Sequence, residues 1–367
     1  AGIRALQASG IKEAAWDFHA LLSRKDPAVR VAALGALTTL GGGAVIRSIE
    51  EVATDSDPEV RARALATLHA FGHAGALRDL VQMLRDPAEE KRLAAAGALG
   101  EVPEGVASLI PLLAEEPSMD VLVAAITSLG RIRDAQAVRP LLARLEDPVL
   151  RIYCVEALGS IGAPAATAAL LDLVIRDPSA LVQRAALRAV AGIGDATAIP
   201  ALQSCLKSAD LASTAIEALC QIGGPQAEDV LLSLLSPGSP FLNDVVQGLA
   251  RVGTARAARP LAALLGAVPD FAARRAVDGL VALGEPSVLP LVEVLADPAR
   301  RKWAVMGLGE LRDPRAVLPL LEWLDESAAV ADAIVAIGPP AILPLLSVLP
   351  HRETEILGLL LALGEAS

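Results

Sequence analysis

The chain has 367 residues, 53% apolar and 20% charged but only 2% aromatic, so its core is built from Ala, Leu, Val and Ile and is thin rather than thick. With 32 basic against 43 acidic residues and a net charge of -11, a protein held to nucleic acid by neutralising phosphates is not expected, and the apolar fraction excludes disorder. Three scattered cysteines (Cys154, Cys205, Cys220) match neither a disulfide framework nor a zinc spacing, which points to a reducing, cytoplasmic setting. Apolar runs such as 341–350 and 356–364 fall short of the roughly 20 residues that span a bilayer, so no membrane insertion is expected.

In chain order, residues 3–10 read as the tail of a helix, with Leu6 four residues before Gly10. Residues 1–10 are therefore expected to be the remnant of a preceding repeat, and 11–367 a single solenoid of about twelve repeats. An apolar residue followed by Gly recurs at Gly41, Gly72, Gly162, Gly194, Gly223, Gly253, Gly284, Gly338 and Gly364, with Pro103, Arg133 and Arg312 in the same slot of the other units. The mean spacing is about 29 residues, and self-similarity at that period is the signature of a repeat architecture.

A second mark falls near the middle of many units: Asp26-Pro27, Asp57-Pro58, Asp86-Pro87, Asp147-Pro148, Asp177-Pro178 and Asp297-Pro298, with Glu116-Pro117 as a variant. Asp accepts hydrogen bonds from the free amides of a first helical turn, and Pro at the first position has no amide to waste. Each mark predicts a helix start, and the terminal Gly predicts a left-handed C-terminal cap. A unit thus reads as helix A, a short turn, helix B and a Gly turn.

Counting back from the terminal slot, helix B carries an apolar residue at four before (Leu37, Leu68, Leu99, Leu129, Leu158, Val190 and onward to Leu360) and at seven before (Leu34 to Leu357). At 100° per residue these lie about 60° apart and form one buried stripe. The slot five before is small in most units, for example Ala98, Ser128, Ala157, Gly248, Gly279 and Gly307, which lets neighbouring helices approach closely.

The segments DPAVRVAALGAL (26–37), DPEVRARALATL (57–68) and DPVLRIYCVEAL (147–158), with DAQAVRPLLARL (134–145) and DPRAVLPLLEWL (313–324), resemble HEAT repeats of the short, phycobilisome-lyase-like type. The resemblance covers essentially the whole chain. It implies an all-α solenoid, a right-handed superhelix of helical hairpins with helix A convex and helix B concave. Pro111, Pro140, Pro200, Pro260, Pro290, Pro319 and Pro344 fall inside helix A and predict kinks there.

Little chemistry is concentrated anywhere. His69 and His73 straddle Gly72 and do not share one helix face, and no His-Glu dipeptide occurs, so neither a zinc-type pair nor the di-iron motif of HEAT-like hydroxylases is present. Cys154 sits among small core-facing residues and reads as a structural thiol. Tyr153 and Trp303 share the slot nine before the terminus, which is expected to face outward. The Arg of the DPxxR motif (Arg30, Arg61, Arg151, Arg301) is expected to form a structural ladder with Asp of its own or an adjacent unit. No catalytic residue, cofactor or metal is expected. The reading is a non-enzymatic scaffold that binds a partner protein on helix B; the alternative, implied by the resemblance alone, is a subunit of a bilin lyase or related protein-modifying enzyme.

The slots two and six before each terminus lie opposite the buried stripe and should line the concave face. Six before, the order is Gly35, Ala66, Gly97, Thr127, Glu156, Arg188, Glu217, Gln247, Asp278, Met306, Asp332, Gly358, so small residues give way to long polar ones. Two before, the middle units add Arg131, Gln221 and Arg251, and nine before adds Asp244 and Arg275. Together these predict a mixed-charge groove for a protein partner over repeats four to nine. At the C-terminal end the two flank slots of the last helix B hold Leu359 and Leu361, where a missing neighbour would leave a Leu exposed and invite end-to-end homo-association.

Overall fold

The structure, a computed structural model, describes residues 20–40 and 46–365, and the expected remnant at 1–10 and the slot at Gly41 lie outside them. The chain divides into two compact units, Ala1–Ile193 and Gly194–Ser367, and every described element is a helix, a turn or a loop.

In the first unit the helices are α1 (Pro27–Leu40), α2 (Ile46–Val52), α3 (Pro58–Ala70), α4 (Ala76–Met83), α5 (Glu89–Leu99), α6 (Val106–Leu109), α7 (Leu112–Glu115), α8 (Met119–Ile132), α9 (Val138–Ala143), α10 (Arg151–Ile161), α11 (Thr167–Arg176) and α12 (Ala180–Ile193). The B helices are α1, α3, α5, α8, α10 and α12. In the second unit they are α13 (Ile199–Cys205), α14 (Ala209–Ile222), α15 (Gly224–Ser233), α16 (Leu242–Val252), α17 (Ala255–Leu264), α18 (Asp270–Leu283), α19 (Val288–Glu293), α20 (Pro298–Leu311), α21 (Val317–Leu321), α22 (Ala328–Ile337), α23 (Ile342–Val348) and α24 (Glu353–Glu365), with B helices at the even numbers.

Helix starts follow the Asp-Pro marks with one variation. The Asp26, Asp57 and Asp297 carboxylates accept from the amides two residues on, at 2.9–3.0 Å, and the helix begins at the Pro. At Asp86, Asp147 and Asp177 the same bond closes a turn first, and the helix begins three or four residues after the Asp. The terminal slot takes the left-handed conformation so consistently that Arg133 (φ 60) and Arg312 (φ 54) adopt it without glycine's freedom, whereas Gly253 stays at φ -66 and Pro103 opens a 3-10 turn. Gly364 does not end the last helix, which continues to Glu365.

The prolines of helix A mostly do not lie in the middle of an α-helix, for a physical reason. In five A helices a 3-10 turn comes first and the α-helix restarts, so Pro140, Pro200, Pro290, Pro319 and Pro344 stand at its second or third residue, where the missing N–H donor would have had no partner within that α-helix. Pro111 separates α6 from α7, and Pro260 alone lies well inside an α-helix, α17.

The stripe forms the core. Leu34, Leu37, Leu99, Ile126, Leu129, Val155, Leu158, Leu187 and Val190 are fully buried in the first unit, as are Leu219, Leu249, Val277, Leu280, Leu308 and Ile334 in the second. It fails at the last repeat, where Leu357 is exposed and Leu360 half-buried, with no described helix beyond α24 packed on them.

Successive B helices meet along a seam of small residues: the slot three before one terminus packs on the slot five before the next. A Cβ added at Gly130 would lie 2.9 Å from the Ala157 Cα, at Gly159 2.7 Å from the Ala189 Cα, and at Gly309 3.0 Å from the Ala333 Cα; Gly100 faces Ser128 and Gly248 faces the Cys220 sulfur. The same rule settles the C-terminal pair. Leu359, five before, turns back onto its own chain and is buried, which corrects its assignment as an end contact; Leu361, three before, is 71% exposed as an unpartnered flank should be.

The DPxxR arginines tie successive repeats together. Arg30, Arg151 and Arg301 each donate to carbonyls five and six residues back, at the end of their own helix A, and to the acid at the next A–B turn: Asp55 at 2.9 Å, Asp177 at 2.9 Å, and Glu326. Arg61 donates twice to the Asp55 carbonyl. Arg92 fills the same slot and holds Glu116 through two bonds, 2.9 and 3.0 Å, keeping that carboxyl below the usual range.

Candidate functional site

All ten side chains singled out for the partner face are exposed: Arg131 on α8, Glu156 on α10, Arg188 on α12, Glu217 and Gln221 on α14, Asp244, Gln247 and Arg251 on α16, and Arg275 and Asp278 on α18. Their common exposure follows from helical geometry, since each lies away from the four-before and seven-before stripe that the hairpin buries.

In the second unit the structure joins most of them into one continuous surface. Glu217, Asp244, Gln247 and Arg251 line a cavity of about 300 Å³ between α14 and α16, floored by Cys220 and Gly248. Gln247 also lines an adjacent cavity of about 580 Å³ with Arg275, Asp278, Arg274 and Phe271, between α16 and α18. The absence of a side chain at Gly248 is what lets the Cys220 sulfur pack against it and close the floor of the first, because a Cβ there would collide with that sulfur.

The charges of this surface are only partly satisfied from within. Arg274 is held by Asp278 at 3.0 Å and Glu310 at 2.7 Å, with the Met306 sulfur 2.8 Å away, and these carboxylates raise its pKa. Glu217, Asp244, Arg251 and Arg275 have no ion pair among the described residues. Acid and base therefore alternate along α14, α16 and α18, with an amide at the centre and an exposed ring, Phe271 (62%), at one edge. Gln221 does not line these cavities, and Glu156 and Arg188 belong to the first unit. Arg131 is engaged differently, donating to the Gly97 carbonyl at 2.6 Å and the Ser128 hydroxyl at 3.1 Å.

Phe271 and Arg274 were not among the sequence-predicted positions. The signal for Phe271 was present: Val149, Leu181 and Phe271 share the slot thirteen before the terminus, and all three are exposed. Trp303 corrects an expectation in the other direction. It is only 7% exposed, its ring covered with the Lys302 ammonium 4.5 Å from its centre, whereas Tyr153 in the same slot is exposed.

Burial removes the thiols as nucleophiles. All three cysteines are buried, and desolvation pushes Cys154 up to about 12 and Cys220 up to about 11, far from thiolate formation at neutral pH. His69 and His73 face different acids, Glu104 at 3.2 Å and Glu50 at 3.3 Å, and among the described residues no His, Cys, Asp and Glu cluster is placed to hold a metal ion. Among the described residues no single helix is long and apolar enough to cross a membrane; the apolar pair Ala328–Ile337 and Pro339–His351 bends by 104° and buries Ile334 and Leu345 in the stack.

The HEAT-repeat family profile matches residues 46–108, 77–151, 106–178, 139–212 and 167–241, which merge into more than half of the chain, and the PBS lyase HEAT-like repeat profile matches 300–326. The chain belongs to the HEAT-repeat family. A comparison with the curated proteins finds no match. Among solved structures a mutant of the karyopherin Kap121p is similar at a TM-score of 0.51 and 14% identity, over 94% of this chain and 46% of that one, a likeness of fold alone. Two shorter matches are the CpcE–CpcF complex of phycocyanin lyase from Nostoc sp. PCC7120 (TM-score 0.36, 21% identity, 59% of this chain and 92% of that one) and human deoxyhypusine hydroxylase (TM-score 0.32, 22% identity, 66% and 98%).

Proposed function

We propose that this α-solenoid is a non-enzymatic scaffold that holds a partner protein on its helix-B face, with the surface along α14, α16 and α18 as the principal contact. The observation that carries the reading is the pair of adjoining cavities sharing Gln247, whose rims present Glu217, Asp244, Arg251 and Arg275 without ion pairs among the described residues. Charges left unsatisfied beside an exposed aromatic suit a partner whose own charges alternate, and such complementarity sets partner choice and encounter rate. The buried, un-ionised thiols support a binding role over a covalent one. Leu361 offers a second, smaller contact, which an end-to-end association of two copies would cover.

Affinity capture with mass spectrometry on the wild type and on Arg251→Glu with Arg275→Glu tests the reading. Partners lost in the double variant and weakened by salt support it; an unchanged set of partners contradicts it. Retention of a chromophore after co-expression with bilin would favour the modifying-enzyme alternative.

A further inference from the structure

A second cavity, in the first unit, differs from this surface in residues and in charge layout. It measures about 540 Å³ and lies along the outer side of α5, between α3 and α8. Its floor is apolar and smooth, formed by Leu93, Ala94, Gly97 and Ala98, with Leu93 38% exposed to the space. Gly97 has no atom within 4 Å of where its Cβ would be, so the floor is open at that point.

The two ends of the floor carry opposite charge. At the α5 N-terminal end stand Asp57, Glu59 and Glu90; Asp57 already caps α3 through the Glu59 and Val60 amides, while Glu59 and Glu90 are exposed. At the C-terminal end stands Arg63, and Arg131 reaches over the same helix to the Gly97 carbonyl. Gly100 is what admits Arg131, whose guanidinium nitrogen would lie 2.4 Å from a Cβ there. Both guanidinium groups thus reach the last turn of α5, Arg63 pairing with Glu101 and Arg131 bonding the carbonyl of Gly97, which lines the cavity, and Arg131 has no ion pair among the described residues. Their proximity is felt electrostatically: burial and the like charge of Arg131 hold Arg63 below its usual range. A carboxylate entering between them would relieve that repulsion and accept charge-assisted hydrogen bonds from both.

We infer that this cavity is a peptide-recognition site, for a protein segment that places a carboxylate between Arg63 and Arg131, an aliphatic side chain on Leu93 and Gly97, and a cationic side chain beside Glu59 and Glu90. The spacing is set by α3 and α5. Glu59 and Arg63 stand four residues apart on α3, about 6 Å along its axis, and Glu90 to Gly97 on α5 spans about 10 Å, distances that an extended segment covers in about two to three residues. The ligand is therefore a dipolar stretch with its acid and its base two or three residues apart. The site goes beyond the α14–α18 surface and stands or falls separately from it.

Selection of a displayed random-hexapeptide library on the full chain tests the inference, followed by fluorescence anisotropy of the enriched peptides. The expected result is enrichment of Asp or Glu two or three residues from Lys or Arg. Arg63→Ala and Arg131→Ala should each weaken binding at least tenfold, and Glu101→Gln, which frees Arg63, should tighten it. Because Arg131→Ala removes a helix contact, Gly97→Gln supplies a variant that fills the floor without removing charge, and it should abolish binding while leaving circular dichroism unchanged. Arg251→Glu should leave the peptides bound, which separates this site from the other. Failure to enrich, enrichment without the charge pair, or binding unchanged by Gly97→Gln overturns the proposal.

Discussion

Gly159→Ala probes the seam that stacks the repeats. Gly159 lies three before its terminal slot on α10, and a Cβ there would sit 2.7 Å from both the Cα and the Cβ of Ala189 on α12. Carbon atoms in ordinary contact stand about 3.5–4.0 Å apart, so the two helices must part by roughly 1 Å. No rotamer can yield, because the atoms in the way are backbone and Cβ. Overpacking of this kind costs about 1–3 kcal/mol, offset by about 1 kcal/mol of helix propensity when Ala replaces Gly. Gly97→Ala, on α5, is the internal control: with no atom within 4 Å it keeps the propensity gain of about 0.5–1 kcal/mol. Gly159→Ala should therefore be neutral to destabilising and Gly97→Ala stabilising, the two chemically identical substitutions separated by about 1–3 kcal/mol. Urea unfolding of the full chain, followed by far-UV circular dichroism and compared as whole curves because repeat arrays depart from two-state behaviour, reads the difference. Gly159→Ala above wild-type stability, or the two variants shifting together, would refute the seam.

Leu129→Ala, at a fully buried position of α8, should lower stability by about 2–5 kcal/mol in the same melts, and a wild-type curve would contradict the stripe. The Arg92 bonds hold the Glu116 carboxyl below its ordinary value, so this pair stabilises the fold above about pH 4.5 and the contribution is lost as pH falls through the lowered folded value. Glu116→Gln should accordingly be less stable at pH 7 and show a flatter acid limb in a pH series; an acid limb parallel to wild type would remove the assignment. If exposed Leu361 mediates self-association, Leu361→Glu should shift the species seen by light scattering at high concentration, whereas Leu359→Glu, at a buried position, should instead lower stability. A wild type that stays monomeric at all concentrations would remove the end contact.

The sequence carried the hairpin period and the stripe because both depend on single-residue punctuation and helical phase. Arg133 and Arg312 show how strong the phase is, holding a left-handed cap that no residue-type rule would assign them. Which flank faces the next repeat was not legible for Leu359 and Leu361, since helical phase defines two flanks and only the packing of Gly159 on Ala189 says which is which. Trp303 and the prolines misled for related reasons: a large ring can lie back under a lysine stem, and a 3-10 turn can reset the helix so that proline stands at its start. The exposure of the ten face residues was legible, but their grouping was not. The cavities depend on how far Arg274, Arg275 and Arg63 reach across neighbouring helices, which slot position does not specify.

Hydrogen–deuterium exchange of the full chain, alone and with a captured partner, tests the scaffold reading most directly. The account predicts slowed exchange in α14, α16 and α18 on complex formation, reduced by Arg251→Glu with Arg275→Glu. Slowed exchange confined to A helices such as α15 and α17, with these three B helices unchanged, would contradict it.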